Sequence, residues 1–190
     1  MATVTPSPKE PPVVNVPNIL TASRLGMAVV LFVFIELNLW LACLITFALA
    51  AFTDWLDGYL ARKLQMGSTL GRNLDPLVDK VLVCGAYIFL LRPGTGLYAW
   101  MVTVVVGREL IITGLRSFLE NKGATFGADW LGKIKMVLQC GALIAIFWAM
   151  SDPQDWLVLT RDIFIWGMLV STAFSGLQYL WKAFSLLKSE

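Results

Sequence analysis

DWLDGYLARKLQMGSTLGRNLDPLVD, residues Asp54 to Asp79, is the stretch on which the fold turns. LWLACLITFALAAF (39–52) precedes it and VLVCGAYIFLL (81–91) follows it, so four carboxylates stand between two strongly apolar runs. If the first run continues as a helix to Lys63, Asp54 and Asp57 are i,i+3 and share a face with Gly58 and Ala61. If the next helix starts near Asp75, Asp75 and Asp79 are i,i+4 and also share a face, with Pro76 in its first turn, where a missing N–H is harmless. A short link over 64–73 makes the two helices antiparallel neighbours, and the two aspartate pairs can then converge on one point. Clustered carboxylates repel unless they share protons or hold cations. Hard divalent cations such as Mg²⁺ take carboxylate oxygens, and two such ions roughly 3.5–4 Å apart form a device for phosphoryl displacement. The plainer alternative is a set of solvated charges at helix ends. Four at these spacings argue against it, since an Asp near mid-bilayer costs about 2.5–3.5 kcal/mol, and less at the interface.

Composition places the chain in lipid. Of its 190 residues, 57% are hydrophobic and 15% charged, and the mean hydropathy is +0.71; this fits a multispan membrane protein of one domain. A net charge of +2 gives no basic footprint for nucleic acid. Histidine is absent, which excludes His-based triads and His-ligated zinc. Cys43, Cys84 and Cys140 are scattered over three apolar segments and read as buried structural thiols.

Taken in order, residues 1–17 carry five prolines and read as a disordered tail, without the features of a cleaved signal peptide. Residues 18–190 read as one membrane domain. NILTASR (18–24) is a polar lead-in to a first apolar run, 25–39. Further spans are expected at about 40–60, 76–91, 97–119, 134–150 and 156–184. Turn signals close two of them, Arg92-Pro93-Gly94 and Ser151-Asp152-Pro153. The expected fold is therefore all-α, a bundle of six transmembrane helices. Six spans put both termini on one side, and of the 15 Lys and Arg only Arg92 and Arg161 then fall on the other. The positive-inside rule turns the termini and the aspartates toward the cytoplasm, in a cytoplasmic (inner) membrane.

A second constellation follows. Glu109, Thr113 and Arg116 are i, i+4, i+7 in GRELIITGLR (107–116), and Lys133 and Lys135 open the fifth span in GKIK (132–135). Cations close to a metal site favour a second, anionic substrate carrying its own phosphate. Arg and Lys at helix ends can also snorkel or bind head groups, and Arg108 can pair with Glu109.

The pattern Asp54-x2-Asp57-Gly58-x2-Ala61-Arg62-x8-Gly71-x3-Asp75-x3-Asp79 resembles the signature of the CDP-alcohol phosphatidyltransferases at all eight positions. The resemblance implies an integral membrane enzyme that displaces CMP from a CDP-linked lipid with an alcohol. It implies Asp54, Asp57, Asp75 and Asp79 as ligands of Mg²⁺ or Mn²⁺, two ions in all, with Asp79 also the base that takes the alcohol proton. The CDP-lipid would lie against Asp57, Gly58, Ala61, Arg62 and Gly71. Gly58 and Ala61 suit close approach of a nucleotide to the helix, Arg62 can fork onto a pyrophosphate oxygen, and Gly71 lets the link bend. VPNILTASR (16–24) adds Asn18 and Thr21 near the nucleotide, although both could equally cap a helix.

Within that family, GRELIITGLR and GKIK are similar to the bacterial phosphatidylglycerophosphate synthases. This similarity covers about residues 16–139 and implies phospholipid biosynthesis: phosphatidyl transfer from CDP-diacylglycerol to sn-glycerol 3-phosphate. Arg108, Arg116, Lys133 and Lys135 would contact the acceptor phosphate. One departure is Met136, where the pattern usually has Thr. Rival readings are a sister enzyme using inositol phosphate or phosphatidylglycerol, a cation transporter, and a silent scaffold. The resemblance also implies a homodimer. The small residues Gly167, Ser171 and Ser175 form a stripe on the sixth span that could serve it or pack within one subunit.

Overall fold

The computed structural model describes residues 16–64, 69–121 and 130–187, with side chains described over 22–53, 77–117, 132–181 and at 130 and 183. Residues 1–15, most of the expected tail, lie outside the described residues. The described residues form six helices and no strand: α1 (Val16–Glu36), α2 (Trp40–Leu64), α3 (Thr69–Phe89), α4 (Ala99–Asn121), α5 (Trp130–Ser151) and α6 (Asp155–Leu187). Number and order agree with the sequence pattern. Even VTVVV (102–106), whose β-branched residues favour strands, is helical within α4. A helix closes its backbone bonds within one segment, which outweighs a weak local preference.

Two starts differ from expectation. The polar lead-in 18–24 is already helical in α1, and α3 begins at Thr69 rather than near Asp75. Gly71 is therefore inside α3 and does not bend a link, and Pro76 lies in the helix interior rather than in its first turn. Polar sequence reads as loop when helix ends are sought in hydropathy alone, whereas a polar helix end needs only satisfied backbone.

The connections at the end away from the aspartates are tightly built. Asn38 takes a positive φ of 57° after α1. The amides of Asn38 and Leu39 donate back to the carbonyls of Ile35 and Phe34 at 3.0 and 2.9 Å. These are the two bonds of a Schellman ending, with Asn in the left-handed position. Between α3 and α4, Gly94 and Gly96 have φ of 88° and 76°, and the buried Thr95 hydroxyl bridges the carbonyls of Leu90 (2.9 Å) and Arg92 (2.8 Å). Arg92 pairs with Glu36, and Arg161 of α6 donates to the Gly94 carbonyl at 2.6 Å. The two cations expected on the far side thus tie its loops together.

The core joins Leu31 and Ile35 of α1, Phe47 of α2, Tyr87 of α3 and Leu90 just after it, Phe147 of α5 and Met168 of α6. α1 packs on both α2 and α3, α5 on α2, α3 and α6, and α4 on α3 and α6. Among the described residues α2 and α3 make no direct contact, so the expected antiparallel neighbours are separated there by α1, whose buried stripe fills the space between them. Glycine sets two close approaches. A Cβ on Gly141 would stand 2.6 Å from the Phe164 ring, and one on Gly85 would meet Phe32, itself stacked on Phe89 at 4.8 Å. The Gly167–Ser175 stripe packs inside the chain. A Cβ on Gly167 would touch Leu138 at 3.7 Å, and Ser175 is fully buried.

The surface is inverted relative to a water-soluble bundle. Leu110 is 65% exposed and Trp181 79%, while Arg24, Glu109, Lys135 and Gln139 are buried. An apolar exterior around polar interior groups suits lipid. Tryptophans gather near the far end, where Trp148 meets Trp156 at 5.8 Å and Trp100 meets Trp166 at 6.3 Å. By length and apolarity, Gly132–Ser151 and Asp155–Trp181 are each able to cross a membrane.

Candidate active site

Arg24, Ala28, Leu31 and Ile35 fall at i, i+4, i+7 and i+11 on α1, and all four are buried. They form one stripe whose first member is a cation. That stripe lays Arg24 against α3, where its Nη1 donates to Asp79 Oδ1 at 2.8 Å. The Arg24 side chain is 2% exposed and that of Asp79 26%. A buried guanidinium is tolerated only with such a partner, and the pair holds the carboxylate in place.

The second constellation builds the opposite wall. On α4, Glu109 accepts from Arg108 Nη1 at 3.0 Å and from Lys135 Nζ of α5. The Thr113 hydroxyl donates to the Glu109 carbonyl at 2.6 Å and accepts from Lys80 Nζ of α3. Arg108 also lies over the Tyr179 ring of α6, 5.7 Å from its centroid. One carboxylate, one hydroxyl and three cations thereby tie α3, α4, α5 and α6 together. The Tyr87 hydroxyl adds a bond at 2.8 Å to the Gln139 carbonyl, joining α3 to α5.

Between these walls is a cavity of about 210 Å³. Asp79 and Lys80 line it from α3, Glu109 from α4, and Lys135, Met136 and Gln139 from α5. Val83, Cys84 and Cys140 add apolar surface. Cys43 and Cys84 are buried, as expected, whereas Cys140 is only partly buried, and Cys84 and Cys140 both face the cavity. Met136 presents a thioether to this space where the related pattern has a hydroxyl.

Of the sites expected from sequence, Asp79 and Lys135 line the cavity, and Arg108 joins the same network through Glu109. Lys133 and Arg116 do not line it. Two residues before Lys135, Lys133 lies about 200° round the helix; it is exposed and sits 6.0 Å from the centre of the Trp130 ring. Arg116 is exposed on α4. The side chains of Asn18, Thr21, Asp54, Asp57, Gly58, Ala61, Arg62, Gly71 and Asp75 lie outside the described residues. Their backbones place Asn18 and Thr21 inside α1, which sets aside the capping alternative, Asp54 to Arg62 in the last turns of α2, and Gly71 and Asp75 in α3. Among the described residues no three metal-binding side chains cluster.

The sequence reading did not single out Arg24, Lys80 or Gln139 as site residues, whereas the Arg108–Glu109 pair it allowed is present at 3.0 Å. Arg24 carried a signal, since it occupies an apolar position of a helical stripe. Gln139 carried one too, as a lone amide one turn after Lys135 inside an apolar run. For Lys80, and for the pairing of Glu109 with Lys135, only the tertiary contacts reveal the role.

The family model for CDP-alcohol phosphatidyltransferase matches residues 14–174. Among curated relatives, the CDP-diacylglycerol–glycerol-3-phosphate 3-phosphatidyltransferase of Bacillus subtilis (strain 168) is 39% identical over 155 residues, covering 78% of this chain and 77% of its own. The protein of that name from Yersinia pestis (strain Pestoides F) is 33% identical over 184 residues, covering 90% and 96%. The one from Escherichia coli (strain K12) is 32% identical over 179 residues, covering 87% and 93%.

Proposed function

The chain belongs to the CDP-alcohol phosphatidyltransferase family, and from that premise we propose how its residues divide the work of one reaction. The reaction is transfer of the phosphatidyl group of CDP-diacylglycerol to sn-glycerol 3-phosphate, giving phosphatidylglycerophosphate and CMP. It is the activity that the relatives' names state. The observation that carries the reading is Asp79, fixed by Arg24, at the edge of a cavity that also presents Lys80 and Lys135.

Asp79 accepts the proton of the acceptor's attacking hydroxyl. The oxygen forms a bond to the lipid-side phosphorus, and the bond from that phosphorus to the CMP oxygen breaks, so CMP leaves with the electron pair. Arg24 orients the carboxylate for this transfer. Lys135 and Lys80 give the cavity the positive charge that an acceptor phosphate requires. Arg108 sits behind them, neutralising Glu109. Arg62 of α2 would hold the pyrophosphate.

Asp54 and Asp57 near the end of α2 and Asp75 and Asp79 on α3 form an all-carboxylate donor set. That chemistry fits Mg²⁺ or Mn²⁺, and the i,i+3 and i,i+4 spacings hold within helical backbone. When bound, such ions neutralise charge on the pyrophosphate and on departing CMP. CMP release by purified protein from CDP-diacylglycerol, with glycerol 3-phosphate and inositol 1-phosphate offered in parallel, tests this reading. Release is expected with glycerol 3-phosphate alone and lost with EDTA. Release with the inositol compound would keep the carboxylate chemistry and overturn the acceptor assignment.

In the membrane, all six helices span, the loops tied by Arg92 and Arg161 face away from the cytoplasm, and both termini and the cavity face it. The charge asymmetry and the polar interior support this. A fluorescent protein that matures only in the cytoplasm, fused after Glu190, is expected to fluoresce, and the same protein inserted at Gly94 to stay dark. The opposite result reverses the topology. A homodimer is the family's expected assembly, and its interface would use a face other than the Gly167 stripe.

A further inference from the structure

Gln139 has an amide without an assigned task. The residue is 3% exposed, and its Nε2 has no hydrogen-bond partner among the described residues. It nevertheless lines the cavity. Its backbone is pinned, because the Tyr87 hydroxyl donates to its carbonyl at 2.8 Å. An orphaned amide in a protein interior costs free energy comparable to a lost hydrogen bond, so the position calls for a ligand group that completes it.

The surroundings say what kind of group. Gln139 lies one turn beyond Lys135 on α5, just as Val83 and Cys84 lie one turn beyond Asp79 and Lys80 on α3. The charged residues therefore stand at one level of the cavity, and the amide stands at a second level with Val83, Cys84 and Cys140. A phosphate belongs with the cations. A neutral amide in apolar surroundings suits a hydroxyl, which both donates and accepts and so fits either end of a carboxamide.

We propose that Gln139 is a specificity-determining residue that hydrogen-bonds the acceptor's non-reacting hydroxyl, the one on the carbon between the attacking hydroxyl and the phosphate. The assignment rests on the acceptor reading above and deepens it. A site built to bond a hydroxyl rejects an analogue that lacks one, because the buried amide is then left unpaired in the complex. The enzyme therefore selects polyol phosphates over simple hydroxyalkyl phosphates.

The test compares glycerol 3-phosphate with 3-hydroxypropyl phosphate, which keeps the attacking hydroxyl and the phosphate but lacks the middle hydroxyl. Metal-dependent CMP release is measured for the wild type and for Gln139→Met, which keeps side-chain volume without an amide. For the wild type, kcat/KM is expected to favour glycerol 3-phosphate on the order of 10- to 100-fold. In Gln139→Met the preference is expected to shrink to about threefold, through a fall with glycerol 3-phosphate and little change with the analogue. A parallel fall with both acceptors means that the amide serves folding, and it overturns the proposal. Equal use of both acceptors by the wild type means that water satisfies Gln139, and it overturns the proposal without any variant. Wild-type protein that releases CMP with neither acceptor refutes the acceptor reading, and this assignment falls with it; that failure is distinct because it precedes any comparison of acceptors.

Discussion

Asp79→Asn is expected to lower CMP release by about a thousandfold or more, since loss of a positioned general base alone is typically worth 10²–10⁴-fold. The substitution preserves shape and removes the negative charge. It therefore takes away the proton acceptor and the ionic partner of Arg24 together. The second loss bears on stability. Arg24 is 2% exposed, and in this variant it faces a neutral amide where it had a carboxylate. The single variant is accordingly expected to unfold at a lower temperature in detergent. Adding Arg24→Met removes the buried cation that faced Asp79 and is expected to recover much of that loss while activity stays absent. Turnover by Asp79→Asn within tenfold of wild type would remove Asp79 from the base role. Recovery of activity in the double variant would mean that Arg24, and not the missing base, had been the obstacle.

The pairing of Lys135 with Glu109 gives the second large effect. Both side chains are under a tenth exposed. Breaking such a pair from one side costs about 3–5 kcal/mol, whereas replacing both partners with uncharged groups of similar size is often neutral. Lys135→Met and Glu109→Gln are each expected to destabilise by about that amount. In Glu109→Gln, Lys135 and Arg108 lose their shared carboxylate. In Lys135→Met, Arg108 still answers Glu109, so this variant belongs at the lower end of the range. The double variant is expected to regain most of the stability. Activity separates the roles of Lys135. If it contacts the acceptor phosphate, the double variant stays about 100-fold down in kcat/KM for glycerol 3-phosphate, because a charge-assisted bond worth roughly 1.5–3 kcal/mol is missing. If Lys135 serves only to neutralise Glu109, activity returns with stability, and that result would exclude it from the acceptor site.

Sequence alone determined the all-helical class and the family of this protein. Apolar runs separated by turns at Arg92-Pro93-Gly94 and Ser151-Asp152-Pro153 specify the six helices seen among the described residues, because a helix satisfies its backbone within one segment. The aspartate spacing over 54–79 identified the family, since eight fixed positions in 26 residues encode one arrangement of charge on helical backbone. The helix starts were less legible. α1 and α3 begin in polar sequence that hydropathy does not count as helix.

Tertiary structure decided which charges meet. On one helix, Lys133 and Lys135 look interchangeable in sequence. A 200° difference in azimuth puts one in the interior with Glu109 and the other beside the exposed Trp130. Arg24 reads as one more cation near a helix end until α1 wedges between α2 and α3 and brings it to Asp79, 55 residues away. Gln139 gains its meaning from a cavity bounded by three helices. Periodicity along a chain specifies which side of a helix a residue occupies, but the partner on that side is set by packing among all six helices.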